Sequence, residues 1–180
     1  MFTGSYAQLA WGAVFSLLLM VGCVTDLKSR RIPNELVATI MATGILFALT
    51  APVMLPALAM SIAGIALGFG IWIAFYLVGA IGAGDVKFFA ASGAWLGPAA
   101  TWRAALVAAL VGGVLAVVTL VLEKRLGDAL RRIALAASSG SMAVLQPEGS
   151  TAPDIRRRPL PYGVALAIGA LTVAWFPTLF

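Results

Sequence analysis

The fold is decided by a long stretch of chain that carries no charged side chain. Residues 36–84 read LVATIMATGILFALTAPVMLPALAMSIAGIALGFGIWIAFYLVGAIGAG, which is 49 residues. As helix this stretch would extend about 73 Å, whereas the hydrocarbon core of a bilayer is about 30 Å thick. It therefore predicts two membrane spans, and Pro52 and Pro56 mark the turn between them.

The rest of the chain repeats this pattern of uncharged segments separated by short charged clusters. Only 19 of the 180 residues are charged, and 62% are apolar. With glycine counted and tyrosine left out, the apolar share is roughly 70%, compared with about 45–50% in soluble domains. We therefore predict an all-α polytopic membrane protein with about six transmembrane helices and a single domain over residues 1–180. The other four predicted spans are residues 1–25, 88–102, 104–122 and 159–180, with Arg103 between the second and third of these segments.

Lysine and arginine concentrate in alternate connections, which predicts the orientation. Lys28, Arg30 and Arg31 follow the first span, Lys87 lies in the third connection, and seven basic residues lie within residues 123–160. Connections rich in lysine and arginine stay in the cytoplasm, so both termini are expected outside. The formal charge of +5 is then explained by topology, and we expect anionic lipid rather than nucleic acid at the basic face.

The segment of residues 123–160 is expected to be a cytoplasmic loop between the last two spans. Leu126, Leu130 and Ile133 lie at helical spacing among basic residues. This pattern predicts an amphipathic helix on the membrane surface, followed by a flexible linker.

The composition also excludes several catalytic classes. The chain has no histidine and one cysteine, Cys23. Ser-His-Asp and Cys-His catalysis, histidine zinc sites and four-cysteine zinc sites are therefore excluded, and we expect neither a metal nor a cofactor. If the protein is a hydrolase, its carboxylates are the candidate general acid and base.

Two carboxylates occupy unusual positions. Asp26 ends the first span and Asp85 begins the fourth, so both are expected at the cytoplasmic boundary of the bundle, although 59 positions separate them. A carboxylate at the centre of a spanning helix costs about 2.5–3.5 kcal/mol, and Gly82 and Gly84 loosen the backbone beside Asp85. We interpret these features as signs of a functional site lining a cavity.

The chemistry of such a pair is that of an aspartic protease. Two carboxylates in a poorly hydrated site cannot both ionise easily and therefore share one proton. The ionised group can take a proton from water as it attacks a carbonyl, while the protonated group binds the carbonyl oxygen and later protonates the leaving amine.

The residues around the two aspartates match a known pattern. Residues 26–34 read DLKSRRIPN, residues 82–87 read GAGDVK, and Pro161, Tyr162 and Gly163 open the last predicted span. These segments resemble the two signature motifs and the closing segment of the type IV prepilin peptidases, the bacterial branch of the Gly-x-Gly-Asp intramembrane aspartyl proteases. The resemblance implies that Asp26 and Asp85 are the catalytic pair.

The resemblance also implies a substrate and a location. The chain is similar to the short peptidases of tight-adherence (Flp) pilus systems, which implies small prepilins and pilin-like proteins as substrates. It implies the bacterial inner membrane, with the site facing the cytoplasm. Only 25 residues precede Asp26 and cysteine pairs are missing, so N-methylation of the product is not expected.

Several other residues of the two motifs are candidates for shaping the site or binding substrate. The glycines can admit the substrate backbone or simply pack helices, and Lys87 can contact substrate or anchor the helix at the membrane surface. The arginines are expected to set topology, and the Pro-Asn pair to set the start of the second span. These candidates are Gly82, Gly84, Lys87, Arg30, Arg31, Pro33 and Asn34.

Two other functions are compatible with paired aspartates in a membrane. A small proton-coupled transporter could use them as a proton relay. Alternatively, the pair could bind a divalent metal, since carboxylates suit hard cations.

Overall fold

The computed structural model describes residues 6–77, 79–122 and 162–177, together with positions 127 and 135. It divides into two compact units, one formed by residues 1–112 and 161–180, the other by residues 113–160. The second unit is described only for helical residues 113–122 and the two single positions, so the predicted amphipathic helix lies outside the described residues. The single domain predicted over residues 1–180 stays a prediction.

Most of the described residues are helical, and no strand occurs among them. The helices are α1 (Tyr6–Ser29), α2 (Asn34–Leu49), α3 (Met54–Leu77), α4 (Ala83–Leu122) and α5 (Tyr162–Trp175). Within this part of the chain, α1, α3 and α4 are long and apolar enough to cross a membrane, and α2 and α5 are shorter apolar helices. The prediction of an all-α polytopic membrane protein is confirmed.

Helix α4 reverses direction at Gly97, which has a left-handed φ of 69°. On the two sides of the break, Ala90 and Thr101 both lie against Gly68 of α3. In a continuous helix these two residues would be about 16 Å apart. Pro98, which follows the break, has no N–H for a helical bond to the preceding turn. The α4 segment is therefore two antiparallel helices joined at one glycine.

This reversal lies earlier than the sequence predicts. The charge pattern predicts Arg103 between two spans, but Arg103 lies inside the second half of α4. Its guanidinium donates hydrogen bonds to the carbonyl oxygens of Ala99 and Pro177. A charge near a helix end does not itself end the helix, whereas a left-handed glycine followed by proline does.

One face of α1 is directed into the bundle. Its buried residues recur every three or four positions, and the exposed face between them is apolar, as expected for contact with lipid. The buried residues are Gly12, Phe15, Leu19, Gly22 and Asp26.

Small residues allow α3 to pack directly on the backbone of α4. The buried face of α3 contains Gly64 and Gly68. A Cβ atom added to Gly64 would overlap the carbonyl group of Gly93, and one added to Gly68 would lie 3.1 Å from Ala90 Cα. The hydroxyl of Ser61 donates a 2.8 Å hydrogen bond to Ala94 O across the same interface. Such close approach is typical of small-xxx-small contacts between membrane helices.

An aromatic cluster fills the end of this unit that lies far from Asp26. Trp95 stacks on Phe47 with 5.4 Å between ring centroids, and its indole Nε1 donates a 2.9 Å hydrogen bond to Ile40 O. Trp11 packs edge-on against Trp95 and lines a cavity of about 580 Å³. Trp11 and Asp26 are about 22 Å apart along α1, so this cavity is separate from the two aspartates.

Gly64→Ala is expected to destabilise the bundle by about 1–3 kcal/mol, because the new methyl group would overlap the Gly93 main chain and force α3 and α4 apart. Thermal unfolding of the purified protein in detergent measures the effect. Gly70→Ala is the matched control on the same helix, since a Cβ there meets nothing within 4 Å in the described part of the chain. Equal melting temperatures for the two variants would contradict the proposed packing.

Candidate active site

Asp26 is buried near the C-terminal end of α1. It continues the buried stripe of that helix one turn beyond Gly22 and is only 6% exposed. Its carboxylate oxygen Oδ2 accepts a 3.0 Å hydrogen bond from the main-chain N–H of Gly163. Gly163 lies in the first turn of α5, where main-chain N–H groups have no partner within the helix. Asp26 therefore caps α5 from a different helix.

Asp85 lies in the first turn of α4 and is partly buried. Its Oδ2 accepts a 3.2 Å hydrogen bond from the N–H of Gly82, and its own N–H donates a 3.1 Å bond to Gly82 O. The bond from the Gly82 N–H to the carboxylate is one half of a capping box, in which an acid of the first turn binds back to the residue before the helix. The ionisable side chain of Asp85 thus also stabilises the start of α4.

The two carboxylates are close enough for their charges to interact. A glycine on α1 permits this proximity. The ring of Phe88, one turn after Asp85, occupies the space beside Gly22, where an added Cβ would lie 2.5 Å from a ring carbon. Phe88 is fully buried, so its ring has little freedom to move aside. The absence of a side chain at Gly22 lets α1 and α4 approach each other beside the aspartates.

Tyr162, the first residue of α5, completes this end of the bundle. Its ring packs edge-on against Trp72 of α3, with 5.5 Å between centroids. It also covers Gly112 in the second half of α4, where an added Cβ would lie 2.5 Å from the tyrosine hydroxyl. The tyrosine and Asp85 interact electrostatically. The carboxylates thus lie where the ends of four helices converge.

Besides the aspartates, other residues of the two signature motifs are in contact. Ile32 is buried against Gly84, and a Cβ added to that glycine would lie 3.8 Å from the isoleucine Cβ. Lys87 Nζ donates a 3.5 Å hydrogen bond to Asn34 Oδ1. The connection between α1 and α2 therefore packs on the first turn of α4.

The remaining predicted site residues lie in the connection after α1. Arg30 has a left-handed φ of 52°, its N–H donates a 2.8 Å hydrogen bond to Asp26 O, and its charge interacts with the Asp26 carboxylate. Arg31 is exposed and hydrogen-bonds Ser29 through its carbonyl oxygen. Pro33 is the N-cap residue of α2, and its carbonyl oxygen accepts the N–H of Val37.

Sequence reasoning did not single out three residues that build this site. Gly22 looks like one more glycine in an apolar span, and Tyr162 and Gly163 belong to a segment that resembles the closing segment of the prepilin peptidases, with no role assigned to either residue. Their contacts with the motifs join positions far apart in the chain, up to the 137 residues between Asp26 and Gly163. Glycines at helical spacing on a buried face, as at Gly22, were the signal that could have indicated a close contact.

The arrangement suits acid-base chemistry by two carboxylates. Each aspartate binds a main-chain N–H through Oδ2. That leaves the second oxygen of each group for proton transfer. Both Oδ2 atoms lie at the N-terminal ends of helices, where the helix dipole favours negative charge.

A disulfide between positions 32 and 84 is expected to form in the variant Ile32→Cys/Gly84→Cys, built on Cys23→Ala to remove the native thiol. The 3.8 Å separation of the two Cβ positions lies within the range of about 3.5–4.5 Å that disulfides require. Mild oxidation followed by maleimide-polymer labelling and gel electrophoresis measures the cross-link. The pair Ile32→Cys/Gly70→Cys should stay reduced, and two freely labelled thiols at 32 and 84 after oxidation would contradict the contact.

Comparison with known proteins places this geometry in a family. Residues 13–117 match the model of the type IV leader peptidase family, and both aspartates lie inside that stretch. The chain is 37% identical over 110 residues to the prepilin leader peptidase/N-methyltransferase of Pectobacterium carotovorum subsp. carotovorum. That match covers 57% of this chain and 39% of the relative, so the chain spans about two fifths of the relative's length. No solved structure matches the chain. Because the family model covers more than half of its residues, the chain belongs to the type IV leader peptidase family.

Proposed function

We propose that this protein is an intramembrane aspartyl endopeptidase that removes the leader peptide of type IV prepilins. The observation that carries the proposal is the pairing of Asp26 and Asp85, two acids from distant motifs that lie within electrostatic reach at one end of a helix bundle. Membership of the type IV leader peptidase family supports it. So does the name of the curated relative, which describes a prepilin leader peptidase.

In the proposed reaction the two carboxylates exchange protons with water and substrate. One carboxylate, ionised, takes a proton from a water molecule as the water oxygen attacks the scissile carbonyl carbon. The other carboxyl, protonated, donates a hydrogen bond to the carbonyl oxygen. Collapse of the tetrahedral intermediate breaks the C–N bond, and a proton passes from a carboxyl group to the leaving amine.

The proposed substrates are Flp-type prepilins and pilin-like proteins. Such a substrate would pack its apolar helix against the bundle and present the cleavage site at the level of the aspartates. The proposed location is the bacterial inner membrane, with the site on the cytoplasmic side and both termini outside. The basic residues around Asp26 support this orientation, since Lys28, Arg30 and Arg31 all follow the apolar part of α1. Anionic lipid is the proposed partner of this basic surface.

Gly82, Gly84 and the polar residues of the connection after α1 are proposed to shape the site. Gly82 binds the Asp85 carboxylate, and Gly84 leaves room for Ile32. The hydrogen bond between Lys87 and Asn34 holds the two motifs together. None of these residues needs to contact the scissile bond to affect the rate.

Asp26→Asn and Asp85→Asn are each expected to lower cleavage of a co-expressed Flp-type prepilin by at least about 10²-fold, because the amide cannot exchange the required proton. Asparagine keeps an oxygen that can accept the N–H of Gly163 or Gly82, so the membrane protein should accumulate normally. Mass spectrometry of the prepilin measures activity and the cleavage position together.

Glu35→Gln is the matched control for this experiment. Glu35 is an exposed acid in the first turn of α2. Its substitution removes one negative charge, as each asparagine variant does, and leaves both aspartates in place. Full processing by either asparagine variant would overturn the proposal. Loss of cleavage in excess chelator would favour a divalent-metal site instead, and solute uptake that follows a pH gradient without prepilin cleavage would favour a transporter.

A further inference from the structure

The first turn of α5 lies directly against the Asp26 carboxylate. The N–H of Gly163 donates a 3.0 Å hydrogen bond to Asp26 Oδ2. A Cβ atom added to Gly163 would lie 2.8 Å from that oxygen, 3.1 Å from Asp26 Cγ and 3.3 Å from Asp26 Cβ. Main chain and carboxylate are therefore in contact, with no room for a side chain between them.

Backbone conformation does not require glycine at this position. Among the described residues, positive φ angles occur at Arg30, Gly79 and Gly97, and Gly163 lies within α5 with ordinary helical geometry. Inside a helix glycine is less favourable than alanine. The three nearest atoms to a Cβ at Gly163 all belong to Asp26, so space for the aspartate is the physical reason for glycine here.

We propose that Gly163 is a positioning residue for Asp26, with its N–H and its missing side chain fixing the orientation of the carboxylate towards Asp85. The proposal rests on the proposed function, because it assigns Gly163 a part in the same reaction. It extends the catalytic site to α5, beyond the residues 13–117 that match the family.

The consequence for catalysis follows from geometry. With Oδ2 bound to Gly163, the other oxygen of Asp26 is the one available to water and substrate. A methyl group at position 163 would push the carboxylate away from α5, and a displacement of about 1 Å can lower a rate by about 10²-fold. Substrate binding through the apolar helix would be unaffected, because Gly163 is buried beneath the aspartate.

Gly163→Ala is expected to lower kcat for a Flp-type prepilin by about 10²-fold and to leave KM within about twofold. The assay uses full-length purified protein in detergent and follows cleavage by mass spectrometry. Gly70→Ala serves as the control for a glycine-to-alanine change in an apolar helix and should keep the wild-type kcat. A wild-type kcat in Gly163→Ala, or a loss that lies only in KM, would overturn the positioning role.

A thermal-unfolding cycle tests the contact independently of activity. Gly163→Ala is expected to lower the melting temperature in the wild-type background but not in Asp26→Ala, since that variant removes Oδ2 and Cγ, the two nearest atoms. If the single variant accumulates poorly, the double variant should restore its abundance. An equal loss of stability in both backgrounds would show that something other than Asp26 crowds position 163, and would overturn the inference.

The two experiments separate this inference from the proposed function. If the wild-type protein leaves prepilins uncut, the peptidase assignment fails, whereas the unfolding cycle still reports on the contact. If the wild type cleaves and Gly163→Ala cleaves equally fast, the positioning role fails and the peptidase assignment stands.

Discussion

The hydrogen bond between the Gly163 N–H and the Asp26 carboxylate is the constraint on which the rest of this bundle depends. A buried carboxylate without a partner would cost several kcal/mol, and so would the open N–H groups of a helix end at membrane depth. Here the Asp26 carboxylate and the Gly163 N–H, 137 positions apart in the sequence, are each other's hydrogen-bond partner. At the other end of α5, the Trp175 indole N–H donates a hydrogen bond to Ser16 Oγ in the middle of α1, so α5 is held antiparallel along α1.

The second aspartate also accepts a hydrogen bond from a main-chain N–H at the start of a helix. Asp85 binds the N–H of Gly82 and thereby caps α4, so both acids of the proposed catalytic pair are also caps of helices. This explains how two ionisable groups persist in an apolar bundle. One oxygen of each group stabilises a helix end, and the proposed chemistry needs only the other. Structural and catalytic demands therefore select the same residue type at the same two positions.

Much of this arrangement could be predicted from sequence because charge is scarce. Asp26 and Asp85 were identifiable because they are acids at the ends of uncharged segments, and the helical membrane fold followed from the same pattern. The charge pattern predicts the reversal at Arg103, whereas the break lies at Gly97 because it depends on a left-handed glycine before proline. The resemblance includes Gly163, but its contact with Asp26 could not be predicted, since no local pattern encodes a contact across 137 positions.

The position of α5 in the chain has a consequence for biosynthesis. The ribosome adds about 5–20 residues per second, so Gly163 is made on the order of 10 s after Asp26. During that interval α1 to α4 can enter the membrane with both aspartates present, while the N–H group that orients Asp26 does not yet exist. In a nascent chain the two aspartates are therefore present before their surroundings are complete, and the proposed catalytic site is complete only when α5 is inserted.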